Sequence, residues 1–120
     1  MRTLCLLAFL TSFSLAAHAT QKQSCTPQEQ PKVLKPIDNW SIVAYNTAVI
    51  KVAPYFSGSK LTYSMTHQPV KSKNKVSINS STGEITVNAE TRDNFDLDIT
   101  AKNSCGVVNS TFNIQIDEEE

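Results

Sequence analysis

Glycine is scarce in this chain, with three in 120 residues, at Gly58, Gly83 and Gly106. No two stand near each other, which excludes the glycine-rich loops that bring backbone N–H groups onto a phosphate. Histidine is scarcer still. There are two, His18 and His67, so a Ser-His-Asp arrangement in a processed chain would rest on His67 alone. His67 precedes "QPV", a turn-like setting, and no enzyme is expected. Charge of one sign is also missing. Eleven Lys and Arg face eleven Asp and Glu, a balance that argues against general binding to nucleic acid or to a membrane surface. Beyond the first residues there is no long apolar run, so the processed chain is not expected to be embedded in a membrane.

The exception is the start, "MRTLCLLAFLTSFSLAAHA". Arg2 supplies a positive end, an apolar run follows from Leu4 to Leu15, and Ala17-His18-Ala19 is a small-x-small cleavage pattern. This reads as a secretory signal peptide over residues 1–19. The run is too short for a helical span, which takes roughly 20 apolar residues. Cys5 lies too early for lipid modification, and "KQSC" before Cys25 is polar where a lipobox would be apolar. Export to a periplasmic or extracellular space is therefore expected. Residues 20–120 suffice for one domain with a thin core. Cleavage leaves Cys25 and Cys105. A disulfide is the simplest outcome for one pair in an exported chain, and the chain-entropy account gives it roughly 4–5 kcal/mol. Two free thiols or an intermolecular bond stay open at this point.

The rest of the chain alternates by two. Residues 20–35, with Pro27 and Pro31, read as an extended lead-in. In "FDLDITAK", Phe95, Leu97, Ile99 and Ala101 share one face. In "VNSTFNIQI", Val108, Ser110, Phe112, Ile114 and Ile116 do the same, and "NSCGV" between them makes an antiparallel hairpin. Leu61, Tyr63 and Met65 form another stripe, as do Ala48, Ile50 and Val52. "NSSTG" turns one short strand into the next, with Gly83 free to take positive φ. Asn46 in "AYNTAV" is the residue expected to enter the left-handed region. Strands are expected near 33–37, 41–45, 48–53, 60–66, 75–79, 84–88, 94–102 and 107–116. The pattern predicts an all-β chain, a two-sheet antiparallel sandwich of about seven strands over 36–116. An acidic tail, 117–120, is expected to fray.

"LTYSM", then "VSINSSTGEIT", then "FDLDITAKNSCGVVNSTFNIQI" resemble the immunoglobulin-like and dystroglycan-type cadherin-like domains of bacterial surface proteins. Leu61, Tyr63, Ile78, Gly83, Ile85, Ile99, Ala101, Gly106 and Phe112 fall on that pattern. Asn103 stands where the family has an acidic residue, and Asn46 where it has a glycine. The resemblance implies an immunoglobulin-like or cadherin-like sandwich whose chain start and last hairpin loop lie at one end. It further implies that a Cys25–Cys105 bond would staple the lead-in over that end, unlike the buried inter-sheet bond of antibody domains.

Several constellations carry chemistry on paper. Calcium takes carboxylate oxygens, and Asp93, Asp96, Asp98 and Asp117 offer them, although outward alternation on a strand explains Asp96 and Asp98 equally well. Met65 and His67 share a strand face, but two ligands are too few for copper(I) and the apolar stripe accounts for Met65. Lys71, Lys73 and Lys75, if extended, point one way and could meet a polyanion; a wet loop or a protected sheet edge needs the same residues. Among the aromatic residues, Trp40 in "DNWSI" is the ring expected to be exposed and able to stack on a sugar. The loops at 54–60 and 103–107, through Tyr55, Ser57, Lys60, Asn103, Ser104 and Val107, are the expected contact region, because loops on a rigid scaffold carry recognition. Asn39, Asn79 and Asn109 fit the glycosylation acceptor pattern, which matters only in a eukaryotic source. The sum is an exported, non-catalytic binding or adhesion module toward protein or glycan at the cell envelope, without a firm cofactor. The alternatives are an assembly subunit of an envelope complex and a calcium-dependent cadherin-like module.

Overall fold

A computed structural model describes residues 24–119 of the chain. The expected signal peptide and the first residues of the lead-in lie outside them. Within them the chain is all-β. In order come β1 (Lys32–Val33), β2 (Trp40–Val43), β3 (Thr47–Lys51), a 3-10 turn (Ala53–Tyr55), β4 (Phe56–Ser57), β5 (Thr62–His67), β6 (Lys75–Ile78), β7 (Glu84–Asn88), β8 (Asp93–Asn103) and β9 (Gly106–Asp117). A four-stranded sheet, β2-β9-β8-β5, packs on a three-stranded sheet, β3-β7-β6, and β1 pairs with β4 beside them.

The longest ladder is the β8–β9 hairpin, running from Asp93↔Ile116 to Asn103↔Gly106. Period-two alternation puts Phe95, Leu97, Ile99 and Ala101 on one side of β8, all fully buried. Phe112, Ile114 and Ile116 of β9 join them, with Phe95 opposite Ile114 and Leu97 opposite Phe112. The facing sheet contributes Ile50, Ile85 and Val87. Burial of each such side chain is worth about 1.5–3 kcal/mol, and this layer is the core that the alternation in the sequence announced. Gly83 ends the turn before β7 with φ +76, and a Cβ there would stand 3.3 Å from the Tyr63 ring. The backbone favours glycine at that position, and a Cβ would in addition crowd the ring.

Four details differ from expectation. First, β2 runs parallel to β9, Trp40↔Ile114 through Val43↔Asp117, while the other pairings of the two large sheets are antiparallel. After β2 the chain crosses through residues 44–46 to β3 in the other sheet, so β2 closes no hairpin with its sequence neighbour. Second, the strand expected at 33–37 shrinks to Lys32–Val33. Leu34 N–H still donates to the Tyr55 carbonyl at 2.8 Å, but Pro36 has no N–H to extend the ladder. Third, Tyr45 rather than Asn46 takes the left-handed conformation, at φ 74. The Asn46 amide instead donates to the Val43 carbonyl at 2.9 Å, closing the β2–β3 turn from outside. Fourth, Asp117 belongs to β9 and faces Val43, so the tail proper begins after it.

One buried polar residue organises the end of the sandwich opposite the β8–β9 turn. Asn74 is 4% exposed. Its Oδ1 accepts from the N–H groups of Glu90 at 2.7 Å and Thr91 at 3.0 Å. Its Nδ2 donates to the Thr91 carbonyl and to the Asp93 carboxylate, both at 3.1 Å. The β7–β8 connection thus closes on one buried side-chain amide that satisfies two of its part-buried backbone donors. Replacing Asn74 by Ala strands two backbone N–H groups, and urea unfolding should lose about 2–4 kcal/mol against the unchanged chain. A loss below about 0.5 kcal/mol would mean that water replaces the amide.

Candidate functional site

The two hairpin residues Ser104 and Cys105 join β8 to β9 with neither φ positive. The primed turns that match strand twist in two-residue hairpins need positive φ, so other interactions hold this tip. Asn103 Oδ1 accepts the Cys105 N–H at 2.7 Å, and Cys105 is bonded to Cys25 with Cα atoms 6.0 Å apart. The Asn103 Nδ2 donates to the Glu29 carbonyl at 2.7 Å and to the Ser59 carbonyl at 2.8 Å. One amide therefore ties three segments together: the lead-in, the 58–61 loop and the hairpin. Gly58, at φ +139, lets the loop touch the lead-in; a Cβ would meet the Gln30 carbonyl oxygen and the Pro31 Cα at 3.1 Å. Lys60 also sits in the left-handed region, at φ 51.

The result is a hollow of ≈ 440 Å³ lined by Glu29, Ser59, Lys60, Asn103, Ser104 and Cys105. The two loops singled out in the sequence thus meet at one end, with Val107 59% exposed at the start of β9. Ser57 lies beside Lys32 of the lead-in. Tyr55 is half-buried, its hydroxyl donating to Asp38 Oδ2 at 3.2 Å and its ring under the Lys35 ammonium at 5.3 Å. Trp40 does not join them. It is half-buried in β2 opposite Ile114, well along β9 from the hairpin tip. Glu29, which lines the hollow and holds the Thr26 N–H at 2.8 Å, gave no signal in the sequence because its role comes from the bridge.

At the opposite end, Lys71, Lys73 and Lys75 do not form the expected extended row. The chain turns between them, with the Asn74 N–H on the Lys71 carbonyl at 2.9 Å. The Lys71 ammonium donates to the Arg92 carbonyl at 2.8 Å, and that of Lys75 to the Ser72 carbonyl at 2.9 Å. The docking of the Asn74 amide bends the segment, which alternation of charge could not reveal. Asp93 accepts from the Lys71 N–H, from Asn74 Nδ2 and, through its other oxygen, from the Asn94 N–H. Asp96 accepts from Asn113 Nδ2 at 2.9 Å, Asp98 from Thr111 Oγ1 at 3.3 Å and Asp117 from Gln115 Nε2 at 3.1 Å. Among the described residues, the set of three potential metal ligands within 4.8 Å of one another is Cys25, Glu29 and Cys105. Its sulfurs are bonded to each other and offer no thiolate. His67 is exposed, its Nδ1–H on the Gln68 carbonyl at 2.6 Å. Among the described residues no helix is long and apolar enough to cross a membrane.

No protein-family model matches the sequence, and no curated protein matches it either. Solved structures do. A candidate alpha-galactosidase of Bacteroides fragilis superposes with a TM-score of 0.60 at 18% identity, covering 74% of this chain but only 18% of the other. This chain therefore corresponds to a small part of that enzyme. A PKD domain solved in solution superposes at 0.56 with 14% identity, covering 82% of this chain and 95% of that one. A chimeric titin Z1Z2 gives 0.54 at 17% identity, with 78% and 100% covered. These likenesses show an immunoglobulin-like β-sandwich.

Partial burial pushes the Asp93 carboxyl up, but the hydrogen bonds from Lys71, Asn74 and Asn94 and the Lys71 charge outweigh it and hold the pKa below the usual carboxylate value. A depressed folded-state pKa means stability that is complete above about pH 4 and is lost as pH falls through the lower folded value. Asp93→Asn removes that linkage. Its stability should fall less steeply than that of the unchanged chain below about pH 4 in acid-titrated thermal melts. Parallel acid limbs for the two proteins would contradict the assignment.

Proposed function

We propose that this chain is an exported, non-catalytic binding module of the cell envelope, which recognises a protein or glycan partner through the disulfide-stapled end. The observation that carries the reading is the convergence at Asn103. One side chain fixes the hairpin tip, the 58–61 loop and the lead-in as a single surface. Ordering loops before a partner arrives removes part of the entropy cost of binding. Immunoglobulin-like sandwiches present recognition loops at their ends in the same way. The disulfide suits an oxidising compartment, periplasmic or extracellular.

A second reading is an assembly subunit. It is favoured by β3, which pairs with β7 on one side only and leaves its other edge open, with Val49 exposed. Open edges accept a strand from another chain. Concentration-dependent sedimentation of the purified protein without any captured partner would support it.

The oxidised protein should capture a partner from an envelope extract. The triple change Lys60→Ala, Ser104→Ala and Val107→Ala should weaken capture about tenfold or more with the melting temperature unchanged. Undiminished capture by the triple variant would sink the placement at this end.

A further inference from the structure

The end opposite the disulfide carries a second, unassigned surface. Tyr45 is 75% exposed and held at φ 74. A bulky non-glycine residue there is strained, and such strain persists where surrounding structure imposes it, often at ligand clamps. The imposing contacts are visible. Tyr45 N–H donates to the Ala89 carbonyl and Ala44 N–H to the Asp117 carbonyl. The backbone at Tyr45 is thus fixed at the rim, and the residue stands between two hollows that share Tyr45 and Glu90. One, of ≈ 340 Å³, is lined also by Asn46, Thr47, Lys75, Asn88 and Ala89. The other, of ≈ 320 Å³, adds Lys73, Glu118 and Glu119. Both volumes fall within the range of about 300–1,000 Å³ that small ligands occupy.

The first hollow has the chemistry of a neutral sugar site. Its charged groups are one lysine and one glutamate, so it offers no net attraction to an anion or a cation. Its hydrogen-bonding groups are mixed. The Thr47 hydroxyl donates to Asn88 Oδ1 at 2.7 Å, which sets the Asn88 amide with Nδ2 as its remaining donor. The Asn46 Nδ2 is spent on the Val43 and Ala44 carbonyls, which leaves Oδ1 as its acceptor. The Glu90 carboxylate adds acceptors. A planar ring beside paired amide and carboxylate groups matches a pyranose, which has an apolar C–H face and a polar hydroxyl edge. An apolar ligand would leave these polar groups unpaired, and a phosphate or uronate would find no excess positive charge.

We propose that Tyr45 and the adjoining hollow form a binding site for a neutral hexopyranose unit, with the Tyr45 ring stacked on the sugar face and Asn46, Asn88 and Glu90 bonding its hydroxyls. The site is separate from the disulfide-stapled surface and does not depend on it.

The test is titration of the oxidised full chain with four probes, methyl β-galactoside, cellotriose, maltotriose and chitotriose, followed by amide chemical-shift changes. At least one should saturate at millimolar concentration and move resonances of residues 45–47 and 88–90. Tyr45→Asn keeps a residue that tolerates the left-handed backbone but removes the ring. It should fold and melt at or above the original temperature and weaken binding about tenfold or more, whereas Tyr45→Trp should retain it. Lys51→Ala, exposed at the far end of β3 from Thr47, should leave the titration unchanged. Overturning results are no saturable shift with any of the four sugars, shifts confined to the disulfide end, or unchanged affinity in Tyr45→Asn.

Discussion

The inward stripe of the β8–β9 hairpin is the constraint on which the rest of this structure depends. Phe95, Leu97, Ile99 and Ala101 on one strand and Phe112, Ile114 and Ile116 on its neighbour are buried because the pleat turns every second side chain the same way. A slip of one residue would put Asp96, Asp98 and Thr100 inside and this stripe in water. Register is thereby fixed along most of the ladder, and β2 and β5 add to either side of a sheet already placed. Ile50, Ile85 and Val87 then have a fixed surface to cover.

A rigid middle makes the two ends different in kind. One end is clamped by a covalent bond and by an amide that reaches both the lead-in and the 58–61 loop. The other is closed by Asn74, which satisfies the backbone of the β7–β8 connection and is itself held by the Asp93 carboxylate, without any bridge. Both ends rely on asparagine, whose side chain donates and accepts at once and so can stand in for a peptide unit. Aspartate at either position would present two acceptors where a donor is needed. At Asn103 the two donor bonds, to the Glu29 and Ser59 carbonyls, are the ones a carboxylate could not make.

The strands of the core were legible because alternation reports on burial directly. The β8–β9 hairpin, β6, β7 and the SSTG turn all lie where period two and the Gly83 signal put them. That the lead-in and the last hairpin loop share an end was what the resemblance implied, while the 54–60 and 103–107 loops were singled out only because loops on a rigid scaffold carry recognition. What alternation cannot report is a tertiary hydrogen bond. Asn74 sits among three lysines whose charge dominates the local sequence, and its burial depends on a connection sixteen residues away. Tyr45 and Asn46 exchanged roles for a similar reason. Propensity favours Asn in the left-handed region, but the Asn46 amide has the Val43 carbonyl to bind, and the turn places Tyr45 there instead. Trp40 looked like a surface ring beside a turn and proved to be part of β2, because parallel pairing with β9 is a long-range choice with no local signature.

The central claim is that the hairpin core stands by itself and that the bridge serves the loop end. Native-state hydrogen exchange on the oxidised and the reduced protein tests it most directly. In both forms the amides of Leu97, Ile99 and Ile114 should exchange most slowly. On reduction the amides of Leu34 and Ser59 should separate from them by about a hundredfold or more. If reduction instead brings all of these amides to one common fast rate, the sandwich depends on the disulfide and the account is wrong.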